Sequence, residues 1–394
     1  MSEPGPDAVR TAAHLARNAV DCLPAGALAE RLAVGRPLRV KLGIDPTAPD
    51  IHLGHTVVLQ KLREFQDAGH TVVLIIGDYT ARVGDPSGRA ATRPVLSGEE
   101  IDAHARTFQE QASHVLATDE RLEIRHNSEW LDMPMEELFR LVRGVTAAQL
   151  LERDDFARRW AAREPISLLE LLYPVLQGYD SVAVEADVEL GGTDQKFNLL
   201  MGRAVQAAYG KPQQVVMTMP ILVGTDGSRK MSKSLGNHVG VTEPPSEIYG
   251  KTLSLPDEAL SAWYDLLLGE PPPADLEPRE AKRALARAIV ARYHGEAAAR
   301  EAEAGFDRVF VARELPDQIE DAVLRPENGT VHLPELIAEH FGGSRSEARR
   351  KIAQGGVRLD GEPVAADALD VPADQLDGRV LQLGRRQFRR LRLP

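Results

Sequence analysis

"RVKLGIDPTAPDIHLGHTVVLQKLREFQDAGHTVVLIIG", residues 39–77, reads as a strand, a loop, a helix and a second strand in one run. Val40, Leu42 and Ile44 alternate along the first segment, the period of an extended chain, and the turn-rich "DPTAPD" follows. From His52 the spacing becomes helical, with Val58, Leu62 and Phe65 on one face and Gly69 past the end. "TVVLIIG" is then almost continuously apolar, as a strand covered on both faces must be. Strand, crossover helix and parallel strand make the right-handed unit that opens a doubly wound α/β domain.

"RLEIRH", "VAVEADVEL" and "QVVMTMPIL" supply further strands, so residues 1–225 are expected to form one Rossmann-type domain around a parallel sheet. Residues 226–244 follow as a lysine-bearing loop. Residues 245–323 lose strand signals and gain Ala, Glu, Arg and Leu at helical spacing, which predicts a small helical domain. "LRPENGTVHLP", 324–334, carries turn residues and is expected to be a linker, with a compact α+β module over 335–394.

A chain of 394 residues with 43% hydrophobic content can fill such cores. Its net charge of -12 argues against general coating of nucleic acid, so any such contact must be local. Cys22 is the single cysteine, which excludes an internal disulfide or a thiolate metal cluster, and no metal site is expected. The sequence holds no apolar run of about 18 residues, and "MSEPGPDAVR" lacks a basic segment followed by an apolar one. The expected location is the cytoplasm, with no membrane contact.

"HLGH", His52–His55, stands where the first strand turns into the first helix. Ligands of doubly wound sheets bind outside the carboxyl ends of strands, and a helix N-terminus favours anions. Two imidazoles there could donate hydrogen bonds to phosphate oxygens, and Gly54 would let a flat group such as adenine lie against the backbone. The plainer alternative is a pair of capping or half-buried histidines. Chance would produce only about 0.02 such patterns in a chain of this composition.

"GTDGSRKMSKSLGN", 224–237, brackets Met231 with Lys230 and Lys233. Such a loop could be a solvated basic turn or a clamp for a substrate dense in negative charge. A triphosphate cleaved at its α-phosphorus develops charge on the leaving pyrophosphate, and mobile ammonium groups could close over it. Gly224, Gly227 and Gly236 are expected to act as hinges.

Together, "HLGH" and "KMSKS" resemble the two signatures of class I aminoacyl-tRNA synthetases. "GIDPTAPDIHLGH", "GDPSGR", "LLYPVLQGYD" and "GGTDQ" narrow the resemblance to the bacterial tyrosyl-tRNA synthetase family, over essentially the whole chain. The resemblance implies activation of L-tyrosine with ATP and Mg2+, transfer to the terminal ribose of a tRNA, and a homodimer. It implies that His52, His55, Lys230 and Lys233 are catalytic, and that Asp45, Gly54, Gly192 and Asp194 join His52, His55 and Lys233 around ATP. It assigns the amino group of tyrosine to Tyr173 and Gln177, the phenol to Asp180, and further amino-acid contacts to Asp85 and Gln195. The helical stretch is then an anticodon-recognition domain.

Tyr173, Gln177 and Asp180 stand at i, i+4 and i+7, one stripe of a helix that Pro174 should start or kink. Such a stripe is either a solvated face or the lining of a cavity, and the apolar residues around it suggest a cavity. One position departs from the family's pattern: many members carry a tyrosine in the first strand that also contacts the substrate phenol, and Lys41 stands here instead. Lys41 could neutralise Asp180 or face elsewhere.

The carboxyl end resembles a small RNA-binding module. "SRSEARRKIAQGGVRLDGEPV" predicts a helix with Arg345 and Arg349 on one face, a stop at Gly355–Gly356, and an Asp360–Gly361 turn. Residues 343–394 hold 11 Lys+Arg and 7 Asp+Glu, net +4, in a chain that is acidic as a whole. That charge suits docking of tRNA through Arg345 and Arg349, or a merely solvated face. Rival functions are a tryptophan-activating enzyme, a small-molecule nucleotidylyltransferase, and a non-catalytic RNA-binding regulator. The Tyr173/Gln177/Asp180 stripe and appended module weigh against the first, the module against the second, and the intact histidine and lysine motifs against the third.

Overall fold

A computed structural model describes residues 4–46, 50–86, 97–311, 319–384 and 387–394. The middle of "DPTAPD" and the end of "GDPSGR" lie outside the described residues. The chain divides into two compact units, one reaching to Arg300 and one running from Glu301 to Pro394.

The first unit is built on six strands: β1 (Asp21–Leu23), β2 (Arg39–Ile44), β3 (Thr71–Ile76), β4 (Leu122–His126), β5 (Val188–Gly192) and β6 (Val215–Met219). Their spatial order is β1-β6-β5-β2-β3-β4. Five are mutually parallel, and the short β1 pairs antiparallel with β6 at one edge. The order runs outward from β2 through β3 and β4 on one side, and from β5 through β6 on the other. The reversal falls between β2 and β5, the place where a doubly wound sheet opens a crevice.

Val72 to Ile76 are fully buried, as the continuous apolar run of β3 requires. Two expected strands are shorter than their apolar runs: Val182 and Ala183 of "VAVEADVEL" end a helix, and "QVVMTMPIL" is a strand only over β6. The first helix, Leu53–Asp67, buries Leu53, Val57, Leu59, Leu62 and Phe65. Its inner face is centred one position before Val58, which is half-buried.

The helix carrying Tyr173 is Leu168–Ala183, started by the Ser167 cap, and Pro174 lies inside it. It therefore neither begins nor ends at the proline; helix ends on either side and the apolar packing outweigh one missing hydrogen bond. This helix crosses its neighbour, Lys196–Ala208, where Gly178 meets Val205 and Gly202. A Cβ on Gly178 would stand 2.8 Å from Val205 Cγ2.

Residues 245–300 are helical as expected, with Pro245–Leu253 and Pro278–His294 as the long members. They belong to the same compact unit as the sheet, and buried Trp263 donates its Nε1–H to the Val223 carbonyl at 3.1 Å. No helix among the described residues is long and apolar enough to cross a membrane.

In the second unit, β7 (Asp321–Val323), β8 (Thr330–His332), β9 (Val357–Leu359), β10 (Glu362–Pro363), β11 (Asp370–Pro372), β12 (Val380–Leu383) and β13 (Gln387–Arg392) make two sheets, β10-β9-β12-β13-β7 and β11-β8. Asp321–Val323 is thus a strand of this unit, not the end of a helical domain. The stretch expected to be a linker, 324–334, is likewise inside it: Leu324, Val331 and Leu333 are buried in its core. Its turn residues do make a turn, with Asn328 and Gly329 at positive φ, but the turn connects β7 to β8. Asp360 (φ 48°) and Gly361 (φ 87°) form the tight turn between β9 and β10, as Asp-Gly favours.

Gly178→Ala tests the helix crossing. Alanine is the better helix former by about 1 kcal/mol, yet overpacking against Val205 should cost about 1–3 kcal/mol. The expected outcome is a lower urea midpoint followed by circular dichroism; an unchanged or higher midpoint would contradict the close approach.

Candidate active site

The carboxyl ends of β2, β3 and β5 deliver most of the residues singled out in the sequence to one crevice. Asp45 follows β2, and Asp50 and His52 lead from it into the first helix. Asp85 comes after β3, and Asp194 and Gln195 sit in the single turn after β5.

His52 and His55 stack, with ring centroids 3.8 Å apart. The His52 backbone N–H donates to His55 Nδ1 at 3.2 Å, so the neutral His55 ring carries its proton on Nε2. Burial, with Lys230 adding to it, pushes the His55 pKa down to about 4. His52 is lowered still further, first by burial and then by His55, His238 and Lys230. Both rings are therefore neutral hydrogen-bond donors at pH 7. Gly54 is needed for their geometry: a Cβ there would lie 3.0 Å from His52 Nδ1 and Cε1. The His52 ring lies over Gly54.

The lysine loop is a tight hairpin. Gly224 N–H donates to the Arg229 carbonyl at 2.8 Å, and Met231 N–H donates to the Leu222 carbonyl at 3.0 Å. Met231 is fully buried, which explains an apolar residue between two lysines. Asp226 accepts from Ser228 N, Arg229 N and Asn237 Nδ2, which holds its carboxyl well below the usual range. The three glycines fit the shape of the loop: a Cβ on Gly224 would stand 2.3 Å from Asn237, and Gly227 and Gly236 have positive φ. Lys230 Nζ donates to Asp194 Oδ2 at 2.5 Å, and Lys233 pairs with Asp50. Lys230 thus points at the turn after β5, and Lys233 at the segment after β2 that leads to the histidines.

Across the crevice, Tyr173 donates its hydroxyl hydrogen to Asp45 Oδ2 at 2.8 Å, and Thr80 donates to Asp45 Oδ1 at 2.7 Å. Burial, with Asp85 and Asp180 adding repulsion, raises the Asp45 pKa to about 7. Gln195 Nε2 donates to Asp85 Oδ2 at 2.8 Å, and Gly192 leaves room for the Asp194 carboxylate. Asp180 is buried and accepts from Trp130 Nε1 at 2.8 Å; burial lifts its pKa to about 6, against the pull of Lys41. The stripe on the helix is therefore buried, not solvated. Lys41 does not pair with Asp180: its ammonium meets Glu189 at 3.2 Å and donates to Ser181 Oγ at 2.6 Å.

In the second unit, Arg345 pairs with Glu335, and Arg349 lies 3.4 Å from His332 Nε2. Both arginines stay on the exposed side of the helix Arg345–Ala353.

A family model described as tRNA synthetases class I (W and Y) matches residues 33–311, the stretch that holds this crevice. The chain belongs to that family. It is 52% identical over 377 residues to a "Tyrosine--tRNA ligase" of Moorella thermoacetica, covering 92% of this chain and 90% of that one. A protein of the same name from Thermotoga maritima is 48% identical over 389 residues, 96% of each chain. Among solved structures, the tyrosyl-tRNA synthetase of Archaeoglobus fulgidus complexed with L-tyrosine shares the fold, with a TM-score of 0.61 at 22% identity over 75% of this chain and 99% of that one. A truncated mitochondrial tyrosyl-tRNA synthetase of Aspergillus nidulans does so with a TM-score of 0.63 at 21% identity, over 77% and 94%.

In this synthetase-family site, the motifs did not announce several partners: Asp50 for Lys233, Thr80 for Asp45, Trp130 for Asp180, Asn237 for the hairpin, and Glu189 for Lys41. Asn237 alone had a visible signal, as the last residue of the quoted loop. His238 follows it and lies edge-on to His52, with centroids 6.4 Å apart.

A histidine whose folded pKa is depressed contributes stability above its unfolded value of 6.5, and that contribution is lost as pH falls toward its folded value of about 4. Raised Asp45 and Asp180 act in the opposite sense, so the test needs a variant. His55→Asn should lose less stability than wild type between pH 7 and pH 5 in urea titrations. Parallel losses would contradict a buried neutral His55.

Proposed function

We infer that this chain activates L-tyrosine with ATP and transfers the tyrosyl group to its tRNA. The observation that carries this is the meeting of His52, His55, Lys230 and Lys233 on one side of the crevice with the buried Tyr173 and Asp180 and the half-buried Gln177 on the other. One side suits phosphate charge, the other an amino acid with a phenol.

In the first step a carboxylate oxygen of tyrosine attacks the α-phosphorus, forming the mixed anhydride as the bond to the pyrophosphate oxygen breaks. Charge grows on the pyrophosphate, and His55, with its proton fixed on Nε2, donates into that charge together with His52. Lys230 and Lys233 exchange Asp194 and Asp50 for phosphate oxygens. That exchange frees Asp194 to accept from a ribose hydroxyl. Mg2+ would arrive on the ATP phosphates and screen them. Tyr173, Gln177, Asp85 and Gln195 receive the ammonium end of tyrosine. Asp180, oriented by Trp130, accepts from the phenol hydroxyl, so phenylalanine would leave a buried acceptor unpaired. In the second step a hydroxyl of the terminal ribose of tRNA attacks the tyrosyl carbonyl carbon and AMP leaves.

A homodimer is part of the proposal. Met135, Phe139, Trp160 and Leu168 are exposed apolar residues on neighbouring stretches of the first unit, and a second copy would cover them. We place the reaction in the cytoplasm and the anticodon end of tRNA against the helices after residue 245, and assign Arg345 and Arg349 of the second unit to tRNA binding as well.

ATP–pyrophosphate exchange tests the substrate: it should depend on tyrosine, and exchange driven by tryptophan instead would overturn the reading. His55→Ala should slow single-turnover adenylation by about 10²- to 10³-fold, with tyrosine affinity little changed.

A chain ending at residue 318 separates the two steps, because β7 already belongs to the second unit. It should retain tyrosine-dependent exchange and lose tRNA charging, along with part of the salt dependence of tRNA binding. Unimpaired charging would remove the second unit from the mechanism.

A further inference from the structure

Lys41, Glu189, Ser181 and Gln214 are all 0–1% exposed, a buried charged network that the two reaction steps above do not use. A buried ion is costly unless every donor and acceptor around it is met. Here the Lys41 ammonium and the Glu189 carboxylate are each hydrogen-bonded by several partners, while the Gln214 side-chain oxygen is buried without one. Lys41 has three N–H donors and three acceptors: the Gln177 carbonyl at 3.1 Å, Ser181 Oγ at 2.6 Å and Glu189 Oε1 at 3.2 Å. The Glu189 carboxylate takes Lys41 and Gln177 Nε2 on Oε1, the latter at 3.2 Å, and Ser181 Oγ at 3.3 Å and Gln214 Nε2 on Oε2.

Saturation has a consequence for Gln177. A carboxylate can only accept, so the Gln177 side chain must face Glu189 with its nitrogen, and its oxygen is forced away. That oxygen is buried and has no hydrogen-bond partner. A buried acceptor without a donor is a standing cost that a donor on a ligand would relieve. Register keeps the arrangement rigid: Lys41 and Glu189 are direct neighbours across the parallel pair β2 and β5. Lys41 also ties β2 to the turn of the 168–183 helix that carries Gln177 and Ser181.

We propose that Lys41 and Glu189 are positioning residues of the amino-acid pocket: their ion pair clamps the Gln177 amide by its nitrogen, so that its oxygen is the acceptor kept for the ammonium group of the substrate. This rests on the reading of Gln177 as a tyrosine-binding residue. Lys41 then serves recognition of the amino end through Gln177, with no donor left over for the phenol.

The double variant Lys41→Met/Glu189→Gln tests this, since it removes both charges and leaves no lone buried ion. Calorimetry on the full-length protein measures affinity for L-tyrosine and for 3-(4-hydroxyphenyl)propanoate, which lacks the amino group. Wild type should bind tyrosine much the more tightly. In the variant, the amide introduced at position 189 can present either its oxygen or its nitrogen, so Gln177 is no longer forced. The preference for the amine should then shrink roughly ten- to hundredfold. KM for ATP should not change. If circular dichroism shows the double variant unfolded, Glu189→Gln alone, which keeps three acceptors around Lys41, is expected to show the same loss of preference. A folded variant that prefers the amine as strongly as wild type overturns the positioning role alone. Wild type that shows no preference for the amine, or no tyrosine-dependent exchange, overturns the reading of the site itself.

Discussion

Strands β2 and β5 lie side by side because the strand order reverses between them, and each leaves the sheet in a different direction. Parallel strands put all their carboxyl ends on one edge, so the turn after β2 and the turn after β5 must open onto a shared crevice. Everything chemical in the first unit hangs from that constraint. Asp45, Asp50 and His52 descend from one strand, Asp194 and Gln195 from the other. The helix that starts at Leu53 begins at the crevice, so its N-terminal end and the two histidines face the same volume.

Both lysines of the loop are paired with carboxylates of the crevice. Lys230 rests on Asp194 and Lys233 on Asp50, while Asp45, Asp85 and Asp180 press on one another in a buried space. The resting ion pairs are exposed enough that water and salt weaken them, and an arriving triphosphate can replace the carboxylates at small cost. The buried carboxylates are different. Their repulsion and burial lift Asp45 and Asp180 toward neutrality, and an ammonium group entering among them would draw them back to the charged state.

Sequence patterns carried far where a residue acts through its own backbone period. The run from 39 to 77 contains its strand, helix and strand in register with the structure, and Asp360–Gly361 makes the turn its φ preference demands. They failed where a short-range signal met a long-range one. Pro174 marks a helix start or kink in isolation, but Ser167 caps that helix nearly two turns earlier, so the helix does not start at the proline. Pro326–Gly329 marks a loop, yet the alternation of Val331 and Leu333 beside it builds a strand and a core. The candidate site residues gather as their motifs suggest, whereas Trp130, Thr80 and Glu189 come from stretches with no motif at all. Only the fold brings Glu189 to Lys41.

The histidine and lysine motifs are physically one object. Leu53 N–H donates to the Val239 carbonyl at 2.9 Å, Val241 N–H donates to the Ile51 carbonyl at 3.0 Å, and His52 bridges Gly240 between them. The exit of the lysine loop is thereby stitched to the start of the histidine helix. At its other end the loop is closed by Thr225 N–H on the Asn237 carbonyl and by Met231 sunk in the core. A hairpin held at both ends and in the middle has little freedom to swing as a lid. Its lysines have the freedom instead, because each ammonium sits on a flexible four-carbon stem and is half-exposed. Passing from Asp194 or Asp50 to a phosphate needs rotation about those stems and no loss of backbone hydrogen bonds. The rigid hairpin fixes where the charges start from, and the stems supply the travel.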